Sequence, residues 1–192
     1  MSRPATVEED ERLRLFVALQ LPDDVADALR AWAANQLHGV RLAHELHATL
    51  AFLGSRPASD LDAVVGALRA AAASARAAPL EVVRYRETRT VCMLVLADPT
   101  GLATALADDL QARLEALGVY RREARPWLPH VTVARFRERP RLAPPLPDVG
   151  PFAPSAAAAF LSRLHPSGAR YEVLESCPLS CPDLEVAESR EE

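Results

Sequence analysis

Two segments far apart in the chain begin in the same way: LHATLAFLG at 46–54 and, within RPWLPHVTVAR at 125–135, the strand-like HVTVAR. In each, a histidine and a threonine are separated by one residue, His47 with Thr49 and His130 with Thr132. Side chains alternate along a β-strand, so each pair shares one face of its strand. The residues between and after them are apolar and suit the opposite, buried face. A chain built this way must bury one side of two strands while leaving two imidazoles and two hydroxyls on the other. That requirement constrains the fold more than any other feature.

The surroundings of the two motifs repeat as well. Leu13–Leu21 reads as a strand, and Pro22 and Asp23 open a helix, DDVADALRAWAANQL, with Val25, Leu29 and Trp32 on one stripe and Gly39 at its end. The first motif strand, Leu46–Leu53, follows and is closed by Gly54. A second helix runs from Ser59 and Asp60 to Arg76, and Pro79 stops it. Strands are then expected over Leu80–Arg86 and Thr90–Ala97. Pro99, Thr100 and Gly101 open a third helix with Leu102, Leu106, Leu110, Leu114 and Leu117 as its stripe and Gly118 as its cap. The strand headed by His130 follows.

Both halves therefore read strand, helix, H-x-T strand, with little other identity between them. This is a structural echo rather than a solenoid repeat. Residues 140–154 form a proline-rich surface loop, whether ordered or mobile. Ala156–Leu164 and Arg170–Leu174 form a hairpin around Ser167-Gly168. The expected product is an α+β protein with two lobes of mainly antiparallel sheet and helices on the outer faces. Residues 1–12 are expected to be a flexible N-terminus, 13–182 a single bilobal domain, and 183–192 a disordered acidic tail.

Composition removes several classes of function. At 192 residues and 49% hydrophobic content, the chain can bury a substantial core. No apolar run is long enough to span a bilayer, and the acidic start MSRPATVEEDERLRLF lacks an apolar signal core. A cytoplasmic protein is the expectation. All 22 basic residues are arginine, which together with abundant alanine reads as a codon bias rather than a functional signal. The net charge of −4 is concentrated at the ends. The region 12–182 is near neutral to slightly positive, which allows an anionic ligand but is not the profile of a duplex-DNA binder. Cys92, Cys177 and Cys181 are an odd set that suits neither a disulfide framework nor, without further ligands, a zinc site.

The motif residues suggest a chemistry. A histidine can give or take a proton near neutral pH. Two imidazoles on opposite sides of a reacting atom make an acid and a base, and threonine hydroxyls can donate to phosphate oxygens. No serine or cysteine stands where a nucleophile is required, and no carboxylate cluster offers a metal site. Metal-free, cofactor-free displacement at phosphorus fits this set. A lone strand histidine is more often structural than catalytic; the doubling favours the catalytic reading.

The chain resembles the two-histidine phosphoesterases, and within them the RNA 2′,3′-cyclic phosphodiesterases, also called 2′-5′ RNA ligases. The resemblance rests on RLFVALQLP at 14–22, LHATLAFLG at 46–54, RPWLPHVTVAR at 125–135 and LSRLHPSGARYEVL at 161–174. It implies a bilobal fold with a pseudo-twofold axis through a central cleft. It also implies hydrolysis of an RNA 2′,3′-cyclic phosphate end to a 2′-phosphate, reversible as ligation when a 5′-hydroxyl attacks. His47 would be the general acid on the 3′ oxygen and His130 the general base for water. Thr49 and Thr132 would hold phosphate oxygens, and Arg135 would help bind phosphate.

Strand parity opposes the last assignment, because positions 130 and 135 fall on opposite faces unless a bulge intervenes. Phe52 has the same parity problem: it stacks on a base or packs with Leu50. Tyr171 packs or caps the cleft wall. The segment GVRLAHE before His47 lacks the proline expected there, and Val133 replaces a leucine. His38, His44 and His165 match no motif and read as ordinary surface or loop residues. Substrates of the same site could instead be 2′,5′-linked oligonucleotides or small cyclic nucleotides, and a non-catalytic RNA-end binding module is a third reading. A monomer without membrane contact is expected.

Overall fold

The computed structural model describes residues 11–165 and 168–180. The expected tail beyond Cys181, most of the N-terminal segment, the Ser167 turn and the side chain of His165 lie outside the described residues. Among these residues, eight strands and three helices follow one another as β1 (Arg12–Gln20), α1 (Asp23–Gln36), β2 (Arg41–Leu42), β3 (His47–Pro57), α2 (Leu61–Ala72), β4 (Glu81–Glu87), β5 (Val91–Ala97), α3 (Leu102–Ala116), β6 (His130–Arg135), β7 (Ala156–His165) and β8 (Gly168–Pro178). A 3-10 turn, Ala58–Asp60, precedes α2.

The strands lie in the order β4-β5-β6-β3-β1-β7-β8, with β2 on β6, and every named pair is antiparallel. The two halves meet at β3 and β6, where the register contains one pair, Ala48 with Val131. Past that point the strands separate. The Thr49 carbonyl accepts the indole N–H of Trp127 at 2.8 Å, and the Leu50 carbonyl accepts the Gln111 carboxamide at 2.7 Å. Gln111 is buried, and these bonds replace ladder bonds that the divergence leaves open.

One face of the curled sheet packs on the helices. Val17, Leu19, Leu50, Leu94, Val131 and Val133 join Leu29 of α1, Leu68 of α2 and Leu110 of α3 in one core. Helix α1 contacts β6, and α3 contacts β3, so each of these helices reaches into the other half. On the opposite face Phe16, Ala18, Ala158 and Phe160 form a second, smaller cluster against Tyr171. This face carries the cleft.

Several boundaries differ from the sequence expectation. β3 continues through Gly54 to Pro57, because Gly54 adopts φ 71° and the chain bulges there instead of turning away. The second helix ends at Ala72 rather than Arg76, and Arg76 instead bridges to Ser180. In α3, Leu106, Leu110 and Leu114 are buried, but Leu102 and Leu117 are exposed. Leucines four apart drift around a helix of 3.6 residues per turn, which carries Leu102 to the edge of the stripe; Leu117 lies past the last turn. The short strand β2 has no periodicity of its own, and the sequence pattern does not announce it.

The proline-rich segment is tied down. Trp32 donates its indole N–H to the Pro145 carbonyl at 3.0 Å, and Leu80 and Phe152 exchange both main-chain bonds. The buried carboxylate of Glu87 accepts bonds from the main-chain N–H of Leu142 (2.6 Å) and Arg141 (3.1 Å) and from Arg139 Nε (3.0 Å). Burial alone would raise the Glu87 pKa. These donors, with the Tyr85 hydroxyl, outweigh it and hold the carboxyl below its usual range. No helix among the described residues is long and apolar enough to cross a membrane.

Candidate active site

The single pair Ala48–Val131 sets the geometry of the site. Carrying that antiparallel register one residue either way puts His47 opposite Thr132 and Thr49 opposite His130. Each motif thus presents its histidine to the other motif's threonine, and all four residues lie on the face away from the helices. Ala48 and Val131, between them, are fully buried in the core.

Both imidazoles are anchored in the same way. Nδ1 of His47 donates to the Glu45 carbonyl at 3.1 Å, and Nδ1 of His130 donates to the Leu128 carbonyl at 2.8 Å. A carbonyl can only accept, so Nδ1 carries the hydrogen and Nε2 is left to exchange a proton. The bond runs back two residues in each case, so each motif supplies the anchor for its own histidine.

Both motif strands also bulge directly after the threonine. On β3 the register passes from Thr49 opposite Ala18 to Ala51 opposite Val17, leaving Leu50 as the extra residue. On β6 it passes from Thr132 opposite Met93 to Ala134 opposite Cys92, leaving Val133 extra. A bulge reverses the alternation beyond it. Leu50 and Ala51 are therefore both buried, as are Val133 and Ala134, and the next residues, Phe52 and Arg135, turn back to the cleft. This resolves the parity conflict for Arg135. It also overturns the packing of Phe52 with Leu50: Phe52 is 49% exposed on the cleft wall, with the Arg14 guanidinium 4.9 Å from its ring centre.

The cleft has a volume of about 380 Å³ and is bordered by His47, Thr49, Thr132 and Arg135. Residues that the H-x-T motifs did not point to join them, among them Arg14, Phe16 and Arg41. Arg14, Phe16 and Ala18 alternate along β1, a signal present in RLFVALQLP but masked there by the apolar run. His44, read as an ordinary loop histidine, lies on the cleft rim. His38 is an exposed surface residue, as expected.

Phe16 and Tyr171 surround His47, with ring centres 4.9 Å from Phe16 to His47 and 5.3 Å from Tyr171 to His47; Phe160 lies 6.0 Å away. This aromatic wall has an electrostatic consequence. The pKa of His47 is pushed down from 6.5 to about 4, first by burial and then by the charges of His130 and Arg135; the bond to Glu45 works the other way. Among the described residues, no group of three or more histidines, cysteines or carboxylates is arranged to hold a metal ion. Cys177 is a free thiol, and its expected neighbour Cys181 lies outside the described residues.

A sheet split by a cleft, with one histidine and one threonine from each half, defines a two-histidine phosphoesterase. The chain belongs to the 2′-5′ RNA ligase superfamily, whose family model matches residues 21–163. Its fold is similar to that of LigT from E. coli in the apo form, with a TM-score of 0.73, 25% identity, and 89% of this chain and 99% of that chain covered. It is also similar to TT0787 of Thermus thermophilus, with a TM-score of 0.69, 28% identity, and 87% of this chain and 98% of that chain covered. A crystal of E. coli LigT complexed with 3′-AMP matches with a TM-score of 0.74 and 24% identity, covering 88% of this chain and 99% of that chain. No curated protein sequence matches the chain.

Proposed function

We propose that this protein hydrolyses the 2′,3′-cyclic phosphate at an RNA end to a 2′-phosphate, with His130 as general base and His47 as general acid. The observation that carries the reading is the crossed pair of H-x-T motifs, each with Nδ1 anchored and Nε2 available. A bound phosphorus atom between them has a proton acceptor on one side and a proton donor on the other. His130 takes a proton from water as its oxygen attacks phosphorus. The bond from phosphorus to the 3′ oxygen breaks, and His47 delivers a proton to that oxygen. The phosphate stays on the 2′ oxygen. Thr49, Thr132 and Arg135 hold the non-bridging oxygens, where charge accumulates in the transition state.

The low pKa of His47 fits this role only with substrate present. In the empty cleft the imidazole is neutral at pH 7. An anionic phosphodiester beside it, bound by Arg135, supplies the negative charge that favours imidazolium. Proton uptake then accompanies binding, and the acid is charged only in the complex. The 3′-AMP complex of E. coli LigT supports a nucleotide ligand in this fold.

The test is incubation of pure protein with a short RNA ending in 2′,3′-cyclic phosphate, with chelator present, and identification of the product end. A 2′-phosphate is expected. A 3′-phosphate would reverse the leaving oxygen, and absence of reaction would refute the assignment of this substrate.

A further inference from the structure

We propose that a track of arginines leading from the cleft to the outer edge of β4 docks the phosphate backbone of single-stranded RNA preceding the reacting nucleotide. This rests on the reading of the cleft as an RNA-end site and extends it: the preferred substrate is an oligonucleotide rather than a cyclic mononucleotide.

The track begins with Arg41 and Arg135, direct partners in the β2–β6 register, both on the cleft wall. Like charges opposite one another on antiparallel strands repel, and among the described residues neither has a carboxylate within ion-pair distance. An anion between them would relieve that repulsion. The track then crosses the end of the sheet. The main-chain bond from Phe136 N–H to the Thr90 carbonyl, 3.0 Å, ties the end of β6 to the β4–β5 turn, one residue from Arg137 on one segment and one from Arg89 on the other. Both are exposed. A recess of about 590 Å³ follows, lined by Arg86, Arg139 and Arg141, with Tyr85, Leu142 and, on its floor, Glu87. The Glu87 carboxylate, engaged by Arg139, also accepts the main-chain N–H groups of Arg141 and Leu142, and Arg141 adopts φ 57°, a left-handed conformation rare for arginine.

Arginine abundance is not the argument, because every basic residue here is arginine. Placement is. The eight ion pairs among the described residues fall mainly elsewhere, as Arg30–Asp27, Arg56–Asp60, Arg69–Glu175, Arg113–Asp109, Arg122–Asp108, Arg125–Glu123 and Arg163–Glu172. Only Arg139–Glu87 lies on the track. Glu138, on the same loop, pairs with none of these arginines. Arg41, Arg86, Arg89, Arg135, Arg137 and Arg141, none of them in an ion pair among the described residues, thus place positive charge along a line that ends in the cleft. Concave, arginine-lined ground that follows a chain is what a single-stranded backbone requires.

The test compares a nucleoside 2′,3′-cyclic monophosphate with a ten-nucleotide RNA bearing the same end, using wild type and the triple variant Arg86→Ala, Arg89→Ala, Arg137→Ala. In wild type, KM for the oligonucleotide is expected about tenfold or more below that for the mononucleotide at low salt, an advantage that fades as salt rises. The variant should lose that advantage while kcat for both substrates, and KM for the mononucleotide, stay unchanged. Equal KM values in wild type, or a variant that retains the advantage, would overturn the track. So would competition by polyglutamate as effective as that by RNA, which would indicate an acidic protein partner. If neither substrate is turned over, the proposed chemistry fails and the track is tested by itself: fluorescence anisotropy with a 2′-phosphate-ended ten-mer should still show weaker binding by the variant, and equal binding would overturn it.

Discussion

The two half-sites share a backbone and differ in their side chains. His47-Ala-Thr49-Leu-Ala-Phe52 and His130-Val-Thr132-Val-Ala-Arg135 have the same spacing, the same carbonyl anchor two residues before the histidine, and the same bulge after the threonine. The first half ends in an aromatic ring and sets its histidine against Phe16 and Tyr171. The second ends in a guanidinium, faces Arg41, and has no aromatic ring on its histidine among the described residues. On the proposed reading, pseudo-symmetry supplies two equivalent proton-transfer groups, which alone could not choose between attacking and leaving oxygens. The dissimilar surroundings give the cleft a direction.

The harshest way to break the comparison is to remove one histidine at a time. His47→Ala and His130→Ala are each expected to lower kcat by about 10²–10⁴-fold, as loss of a positioned acid or base does. Circular dichroism should show both variants folded, since neither histidine belongs to the two hydrophobic clusters that hold the sheet to the helices and β1 to β7. Next come the two residues after the bulges. Arg135→Ala should lower kcat/KM by roughly 10–100-fold, because a charge-assisted bond to phosphate is lost. Phe52→Ala should raise KM by only about 2–10-fold, the loss of one stacking surface. Steady-state kinetics that show equal losses would remove the distinction drawn between the halves.

The pH profile sharpens the comparison further. If His47 gains its proton with the substrate, the basic limb of kcat, set by the complex, should lie at higher pH than the basic limb of kcat/KM, set by the free protein. Coincident limbs would refute substrate-driven protonation. The smallest expected effect is on stability. His47 has a folded pKa of about 4 against 6.5 for the free side chain, so the unfolded chain binds the extra proton first. Stability is complete above pH 6.5 and declines as pH falls toward 4, by up to about 3 kcal/mol from this one group. Thermal unfolding at pH 7 and pH 5 should therefore show a larger loss for wild type than for His47→Gln.

Period-two alternation made much of this legible. It put His47 with Thr49, and His130 with Thr132, on one face, and the repeated strand-helix-strand order placed the two motifs as counterparts. Alternation could not reveal the bulges at Leu50 and Val133, because a bulge exists only relative to the strand beside it. Phe52 and Arg135 consequently appeared to point the wrong way. Nor could it find Arg41, on a strand of two residues, or the aromatic wall from Phe16 and Tyr171, which are distant in sequence from His47 and brought to it by the order β3-β1-β7-β8. The long helices were found from their apolar stripes, but their ends were decided by local packing.

The seam at Ala48–Val131 makes the cleft a fork: two strands joined at one point and diverging from it. The gap between its prongs is therefore not fixed by a ladder of main-chain bonds. It is held from behind, on the core side, by the indole of Trp127 and the carboxamide of Gln111, neither of which borders the cleft. Two side chains outside the cleft thus brace the β3 prong just beyond Thr49, so its course past the seam depends on interior residues that do not border the cleft.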